Sequence, residues 1–252
     1  EDFLAEQAPQ LQRRGRVLEG ATLGNSPLET FSVDDLAAPV YKVVNGVDSR
    51  FAEATAEWFI EKYGWEGFVL CVGRIEPRKN QLAVIEAMRL LLESQPHSSE
   101  PGLSELNPGL SPAAGPTKLI FVGNVSWRHP EYALRFQQLL NKYDWIKHIE
   151  RIPYENMGSA YAAAKVHVSA SWFETTGLVS LEAGLAGCNV VATGERARDY
   201  LNNYAFYCDP GDIDSIMVAI QKAYNADFNH SFKNHILENL TCEKTAAQTL
   251  AV

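Results

Sequence analysis

Short apolar runs alternate with amphipathic stretches along most of the chain. Such runs are typical of fully buried strands, and the stretches between them carry apolar residues at helical spacing. The predicted strands are FVLCVG (68–73), KLIFVG (118–123), IKHIERI (146–152), KVHVSAS (165–171), CNVVAT (188–193) and AFYCD (205–209). The predicted helices cover residues 80–94, 129–143, 155–164, 177–187, 195–203, 211–225 and 231–252. Repeated strand–helix units predict an α/β fold, a doubly wound parallel sheet with helices on both faces.

The first fifty residues follow a different pattern. Their predicted elements are a helix, a strand, a helix and a strand, over residues 1–20, 21–26, 26–36 and 41–48. The last of these strands ends in an Asn-Gly turn at Asn45 and Gly46. We expect residues 1–50 to be the tail of an earlier domain with a linker, and residues 51–252 to form one domain.

Residues 94–118 interrupt the alternation with a stretch rich in Pro, Ser and Gly and without sustained periodicity. The stretch joins a helix to the next strand, where a few residues suffice, so we interpret it as a flexible insertion. A lid over a binding site and a surface loop both fit this composition, and the surface loop is favoured because loops tolerate insertions.

The composition narrows the class of protein. Apolar residues make up 46% and charged residues 21% of the 252 residues, which is typical of a globular domain. No apolar run approaches the length of a membrane-spanning helix, and a formal charge of −9 disfavours nucleic acid as a partner. The four cysteines form no CxxC pair. Because Cys71 and Cys188 fall in predicted strands, we expect reduced core thiols in a cytoplasmic protein.

The first segment with candidate chemistry, CVGRIEPRKNQ, includes the end of a predicted buried strand. It places Arg74, Arg78 and Lys79 just before a predicted helix. Ligands of open α/β sheets bind beyond the carboxyl ends of the strands, and helix N-termini attract anions. The segment therefore fits a phosphate site, in which each charge-assisted contact contributes about 1.5–3 kcal/mol. A solvated basic turn explains the same three charges equally well.

The second segment, SWFETTGLVSLEAGLAG, places Glu174 before a predicted helix and Glu182 inside it. At about 1.5 Å of rise per residue, the two carboxylates lie about 9 Å apart along the helix axis. A nucleotide sugar fits this spacing, because carboxylates accept hydrogen bonds from paired hydroxyls and the helix N-terminus attracts a diphosphate. Gly177 lets the backbone approach the ligand. The alternative is that Glu182 faces solvent, although its flanking residues are mostly apolar.

Three segments together resemble the signatures of family 4 retaining glycosyltransferases. They are NGVDSRF (45–51), GRIEPRKNQ (73–81) and FETTGLVSLEAGLAG (173–187), in the family's order. Glu174 and Glu182 match its E-x7-E pattern. The resemblance covers roughly residues 41–225 and implies a GT-B fold of two Rossmann-like domains. This chain would contain the second domain and the last elements of the first.

The resemblance also implies roles for the matched residues. Arg74 and Lys79 would neutralise the donor diphosphate, and Glu174 would hold the transferred sugar. Glu182 would bind the ribose, and backbone groups near residues 150–154 would bind the base. In the retaining mechanism the departing phosphate takes the acceptor proton, so neither glutamate is needed as a base. The implied donor set is Gly73, Arg74, Lys79, Glu174, Thr176, Gly177, Leu178 and Glu182, of which Arg74, Lys79 and Glu174 would be catalytic.

No metal or other cofactor is expected, since Arg74 and Lys79 can supply the positive charge at the leaving diphosphate. Asp212 and Asp214 form an Asp-x-Asp pattern like that of metal-dependent sugar transferases, but they open a predicted helix, where Asp is favoured as a cap. His129 follows a strand end and fits a surface or structural role better than a place in the cleft. The chain has no HExxH, GxGxxG or Walker motif, which disfavours dehydrogenases and NTPases.

The expected partners are a nucleotide-sugar donor and an N-terminal acceptor domain outside this chain. We expect this chain alone to be inactive in transfer, and we leave peripheral membrane association of the whole protein open. Two other functions also stay open: a non-catalytic nucleotide-sugar-binding module, and an epimerase or phosphorylase with the same architecture. Loss of transfer after mutation of Glu174 in the longer protein would separate the enzyme from the module.

Overall fold

The computed structural model describes residues 43–94, 115–174 and 176–251. The elements predicted within residues 1–40, the residue Thr175 and most of the predicted insertion at 94–118 lie outside the described residues. In chain order the strands are β1 Phe68–Val72, β2 Leu119–Val122, β3 Ile146–Ile149, β4 Ala164–Ser169, β5 Asn189–Thr193 and β6 Phe206–Cys208. The helices are α1 Glu57–Tyr63, α2 Gln81–Ser94, α3 Pro130–Lys142, α4 Tyr154–Ala163, α5 Leu178–Leu185, α6 Glu195–Leu201, α7 Ile213–Asn225, α8 His230–Asn239 and α9 Cys242–Leu250. Short 3-10 helices cover Ser49–Glu53 and Pro77–Lys79.

The six strands form one parallel sheet in the order β3-β2-β1-β4-β5-β6. The chain starts at the centre with β1, builds outward through β2 and β3, and then returns to the other side of β1 with β4. This order confirms the predicted doubly wound sheet. It also places the switch point, where ligands of such sheets bind, between the carboxyl ends of β1 and β4.

Apolar side chains cover both faces of the sheet, as expected for parallel strands. In β1, Phe68 and Leu70 point to one face, and Val69 and Cys71 to the other. The first face packs against α1, α4, α5, α6 and α8, and the second against α2, α3 and α7. A strand buried on both sides explains why the β1 sequence is continuously apolar rather than alternating.

The strand predicted over residues 41–48 is wrong for the part that the structure describes. Residues 43–46 pair with no strand of the sheet, and Val47 forms a single parallel bridge with Thr241. The backbone amide of Val47 donates to the carbonyl of Leu240, and the amide of Cys242 donates to the carbonyl of Val47. The segment is apolar because it packs beside the last two helices, not because it belongs to the sheet.

The C-terminal helical prediction over residues 231–252 also needs correction, because two helices occupy this segment. The break falls at Leu240 and Thr241, where the Thr241 hydroxyl accepts a hydrogen bond from the amide of Lys244 and caps α9. The bridge from Thr241 to Val47 fixes the break. Val47 lies at the other end of the described chain, so the local pattern could not predict this contact.

The thiols give a direct check of this core. Cys71, Cys188 and Cys208 are buried and Cys242 is exposed, and burial raises the pKa of Cys71 and of Cys208 to about 12. We therefore expect a thiol reagent at pH 8 to modify one cysteine per native chain within minutes and all four after denaturation. Rapid modification of more than one thiol in the native protein would contradict the core described above.

Every helix within residues 43–94, 115–174 and 176–251 is too short or too polar to cross a membrane.

Candidate functional site

Two loops meet at the switch point, one after β1 and one after β4. The first runs from Gly73 to Asn80, and the second from Ala170 to Gly177. The amide of Trp172 donates to the carbonyl of Arg78 at 2.9 Å, so the backbones of the two loops are joined directly. The structure thus brings the two segments with predicted chemistry together at the sheet edge where ligands are expected.

The loop after β1 is held in a defined conformation by Gln81, the first residue of α2. Its side-chain amide donates to the carbonyl of Arg74 at 2.8 Å, and its side-chain oxygen accepts from the hydroxyl of Tyr132 at 3.0 Å. Gln81 is only 3% exposed. Asn80, with a left-handed φ of 59°, donates from its side chain to the carbonyl of Pro210 at 2.8 Å. These contacts fix the direction in which the loop presents its cations.

Lys79 and Glu174 form the central contact of the site. The Lys79 Nζ lies 2.5 Å from Oε2 of Glu174, and the two side chains are 14% and 16% exposed. The hydroxyl of Ser171 lies 3.5 Å from the same oxygen. Gly73 lines the stem of Lys79, since a Cβ on this glycine would stand 3.3 Å from Lys79 Cε. A cation and a carboxylate that are both largely shielded from water therefore stand side by side at the switch point.

The three cations of the first loop have different surroundings. Arg78 contacts Glu76 at 3.1 Å and donates to the carbonyl of Phe173 at 2.8 Å, so it ties the two loops together. Arg74 is 62% exposed and stands 3.8 Å from Glu76. Lys79 and Arg74 thus remain candidates for an anionic ligand, whereas Arg78 has a structural role.

Helix α5 begins directly after the second loop of the site. Gly177 is its N-cap, with a φ of 55°, and Leu178 is its first residue. A Cβ at Gly177 would stand 1.9 Å from the hydroxyl of Tyr200, a residue of α6, so only glycine fits here. Because the first-turn amides of a helix lack partners within the helix, this end can receive an anion. Thr176, just before the cap, is half-buried.

Tyr200 is a member of the site that sequence reasoning missed. Its hydroxyl approaches Gly177, and burial together with the charge of Glu174 raises the pKa of Tyr200 to about 12. The phenol therefore stays protonated at neutral pH and can donate a hydrogen bond. A tyrosine in a short helix outside any motif offers no sequence signal of such a role.

Glu182 lies in the second turn of α5 and is half-buried, so it does not belong to an exposed helix face. Its Oε2 accepts a hydrogen bond from the hydroxyl of Tyr161 at 2.8 Å. Burial raises the pKa of Glu182 above the ordinary value for a glutamate. A carboxylate kept from water and held by one hydrogen bond retains capacity to accept more hydrogen bonds from a ligand.

The charge of Lys79 reaches the strands below the site. Burial lowers the pKa of His167, in β4, to about 3, and the Lys79 ammonium acts in the same direction. His167 is fully buried, and neither of its ring nitrogens has a hydrogen-bond partner among the described residues. Its ring is therefore neutral at physiological pH and packs against the ring of Tyr161, with centroids 5.9 Å apart.

Two further polar side chains, those of Asp212 and His148, make structural hydrogen bonds. Asp212 accepts a hydrogen bond from the amide of Ser215 and caps α7, which confirms the capping interpretation of the Asp-x-Asp pattern. His129 is exposed at the start of α3, and His148 contacts the carbonyl of Gly123 at 2.7 Å. In the described part of the chain, no group of three His, Cys, Asp or Glu side chains could hold a metal ion.

The fold and the position of this site are those of α/β proteins that bind ligands beyond the carboxyl ends of parallel strands. Residues 54–236 match the family of glycosyl transferases group 1. Because this match covers well over half of the 252 residues, the chain belongs to that family. The single parallel sheet has the α/β architecture of its structural neighbours, which are GT-B glycosyltransferases.

Individual relatives match at low identity and over part of their length. O-antigen chain mannosyltransferase B of Escherichia coli is 27% identical over 172 residues, which cover 67% of this chain and 40% of that protein. Sucrose-phosphate synthase from Thermosynechococcus elongatus matches with a TM-score of 0.65 at 20% identity, over 84% of this chain and 51% of that one. Anabaena Alr3699/HepE, solved in complex with UDP, matches with a TM-score of 0.61 at 17% identity, over 83% and 56%. This chain therefore spans about half the length of these proteins.

Proposed function

We propose that this chain is the donor-binding half of a retaining glycosyltransferase of family 4, which transfers a hexose-like sugar from a nucleoside diphosphate. The observation that carries the proposal is the Lys79–Glu174 pair at the switch point. A cation suits the diphosphate and a carboxylate suits the sugar hydroxyls, so the two halves of a nucleotide sugar have adjacent matching groups. The family membership of the chain supports the same donor class.

The leaving diphosphate would receive positive charge from three directions. Lys79 would move from Glu174 toward the phosphates, and Arg74, at 62% side-chain exposure, is able to swing onto them. The N-terminus of α5 at Gly177 and Leu178 would add its oriented amides. Such charge stabilises the departing group without a metal ion, so we propose that the site works without a cofactor.

Glu174 would orient the sugar rather than act as a base. In the unliganded site its Oε2 pairs with the Lys79 ammonium and lies near the hydroxyl of Ser171, so release of Lys79 toward the phosphates would leave a carboxylate oxygen available to a sugar hydroxyl. The acceptor proton would go to the departing phosphate oxygen, on the face from which the phosphate leaves, and the sugar would keep its configuration. Glu182 would bind the ribose hydroxyls.

The whole protein would contain a second domain that binds the acceptor, because this chain spans about half the length of its relatives. One of them is named a mannosyltransferase and another is solved with UDP. These names support a sugar as the transferred group and a nucleoside diphosphate as the leaving group. We also propose that the whole protein can attach peripherally to a membrane.

Calorimetric titration with UDP, GDP and ADP tests the donor site. We expect one of the three to bind, Glu182→Gln to weaken that binding at least about tenfold, and EDTA to leave it unchanged. Glu174→Gln should instead remove the preference for the nucleotide sugar over the nucleoside diphosphate, because only the sugar would contact Glu174. Glu238→Gln, at an exposed position of α8, is the matched control. It should change neither the affinity for the nucleoside diphosphate nor the preference for the nucleotide sugar.

Two results would contradict this donor site. The first is the absence of binding by any of the three nucleotides to a folded chain. The second is equal binding by the Glu182→Gln and control variants, which would remove the ribose role. In the two-domain protein, full transfer activity after Glu174→Gln would favour a binding module over an enzyme.

A further inference from the structure

We infer that Tyr161 is a positioning residue of the donor site, whose hydroxyl orients the Glu182 carboxylate for the ribose hydroxyls of the nucleotide. This inference rests on the proposed function, because it extends the ribose role of Glu182. Tyr161 lies in α4 and is fully buried, so it acts through Glu182 and not by touching the ligand.

The hydroxyl of Tyr161 has little freedom to move. Its ring packs edge-on against Phe51, with centroids 6.0 Å apart, and edge-on against His167 at 5.9 Å. Packing of this kind fixes the rotamer of a buried aromatic side chain. The hydrogen bond from this rigid hydroxyl to Oε2 of Glu182, at 2.8 Å, therefore fixes the carboxylate in turn.

One bound hydroxyl leaves an ionised carboxylate with acceptor sites for others. A vicinal diol needs two such sites in a fixed orientation, and a glutamate side chain with three rotatable bonds would lose entropy on adopting it. If the orientation of the carboxylate is set before binding, the folded protein has already lost this side-chain entropy, and ligand binding does not lose it again. Tyr161 thus contributes to affinity for ribose without contacting it.

The hydrogen bond also controls the charge of Glu182. Burial raises the pKa of this carboxyl group, and the Tyr161 hydroxyl counteracts that rise. Arg50 also lowers this pKa and Asp48 raises it, both from the segment around the 3-10 helix Ser49–Glu53. Without the hydroxyl the carboxylate takes up a proton at a higher pH. A protonated Glu182 accepts fewer hydrogen bonds, so nucleotide binding should then be lost earlier on acidification.

The test is Tyr161→Phe, which removes the hydroxyl and keeps the ring. Calorimetry would compare the nucleoside diphosphate that the wild-type chain binds with its 2′,3′-dideoxy counterpart. We expect the wild type to prefer the ribonucleotide about 30-fold and Tyr161→Phe to prefer it only about threefold, with dideoxy binding changed less than about twofold. The acid limb of ribonucleotide binding should move to higher pH in the variant.

The matched control is Tyr224→Phe. Its hydroxyl donates to the carbonyl of Gly67 at 2.8 Å, just before β1 and therefore at the opposite edge of the sheet. Both variants lose one tyrosine hydroxyl that donates a hydrogen bond, from a buried residue in Tyr161→Phe and from a half-buried one in Tyr224→Phe, and thermal unfolding reports the cost of each. Only Tyr161→Phe should change the preference for ribose and the acid limb.

Combining Tyr161→Phe with Glu182→Gln separates failure of this inference from failure of the proposed ribose role of Glu182. Loss of ribose preference in Glu182→Gln, with no further loss on adding Tyr161→Phe, supports the positioning role. Loss in Glu182→Gln together with a wild-type preference and acid limb in Tyr161→Phe overturns this inference alone. If Glu182→Gln keeps the ribose preference, or the wild-type chain binds no nucleotide, the ribose role of the proposed function fails and the inference fails with it.

Discussion

Replacing Lys79 with methionine is expected to weaken binding of the nucleoside diphosphate about 100-fold, which corresponds to about 2.7 kcal/mol. The reason is that Lys79 is only 14% exposed and lies at the switch point, where its charge is poorly screened by water. Methionine retains most of the stem that passes Gly73 but removes the charge. Calorimetric titration of both proteins measures the difference.

The same titration with the bare nucleoside serves as an internal reference, since a nucleoside carries no phosphate and should bind both proteins equally. Lys222→Met is the matched variant, because Lys222 is exposed near the end of α7, close to the edge of the sheet away from the site. An effect of Lys79→Met that is equal for nucleoside and diphosphate would argue against a phosphate contact.

Lys79→Met should also lower the stability of the folded protein. Lys79→Met removes the ion pair between the Lys79 ammonium and the Glu174 carboxylate in a site that is largely shielded, so we expect a loss of about 1–2 kcal/mol in the free energy of unfolding. The double variant Lys79→Met with Glu174→Gln should recover most of this stability and none of the diphosphate affinity. That combination separates folding from binding.

Alanine in place of Gly123 is expected to lower the free energy of unfolding by about 4 kcal/mol, through backbone strain and a steric clash. Gly123 follows β2 with a φ of 146°, and a Cβ there would stand 2.2 Å from the carbonyl oxygen of Gly73. The backbone strain costs about 1–3 kcal/mol, and pushing a backbone aside in a packed core costs a similar amount. Urea denaturation would measure the change.

Gly64→Ala provides the comparison for that experiment. Gly64 ends α1 with a φ of 68°, but a Cβ added there would have no neighbouring atom within 4 Å. We expect a cost of about 1 kcal/mol, from the left-handed backbone alone. Equal costs at the two glycines would mean that the ends of β1 and β2 do not approach each other as closely as described.

The sheet could be predicted because its strands are buried on both faces and therefore form continuous apolar runs. The two loops of the site could be located as well, since both follow such strands. Loop conformation could not be predicted in the same way. Arg78 has the same charge as Lys79 and stands beside it in sequence, yet its guanidinium joins Glu76 and Phe173, and only the fold reveals this difference.

The residues that support the site left no local signal. Tyr161 and Tyr200 come from helices that precede and follow the Glu174 segment, and each meets it only through tertiary packing. Gln81 lies inside a recognised motif, but two of its side-chain hydrogen bonds connect it to Arg74 and Tyr132. Binding of a nucleotide sugar by the predicted donor residues stays a prediction, and the titrations described above test it.

The bridge between Val47 and Thr241 has a mechanical consequence. The first described segment and the start of α9 lie side by side, and the hydroxyl of Thr245 also donates to the carbonyl of Val44 at 2.7 Å. Tension that pulls residue 43 away from α9 would act on the few hydrogen bonds between these two segments before it reached the sheet. A displacement of the chain at residue 43 would likewise be transmitted to the start of α9 through these hydrogen bonds.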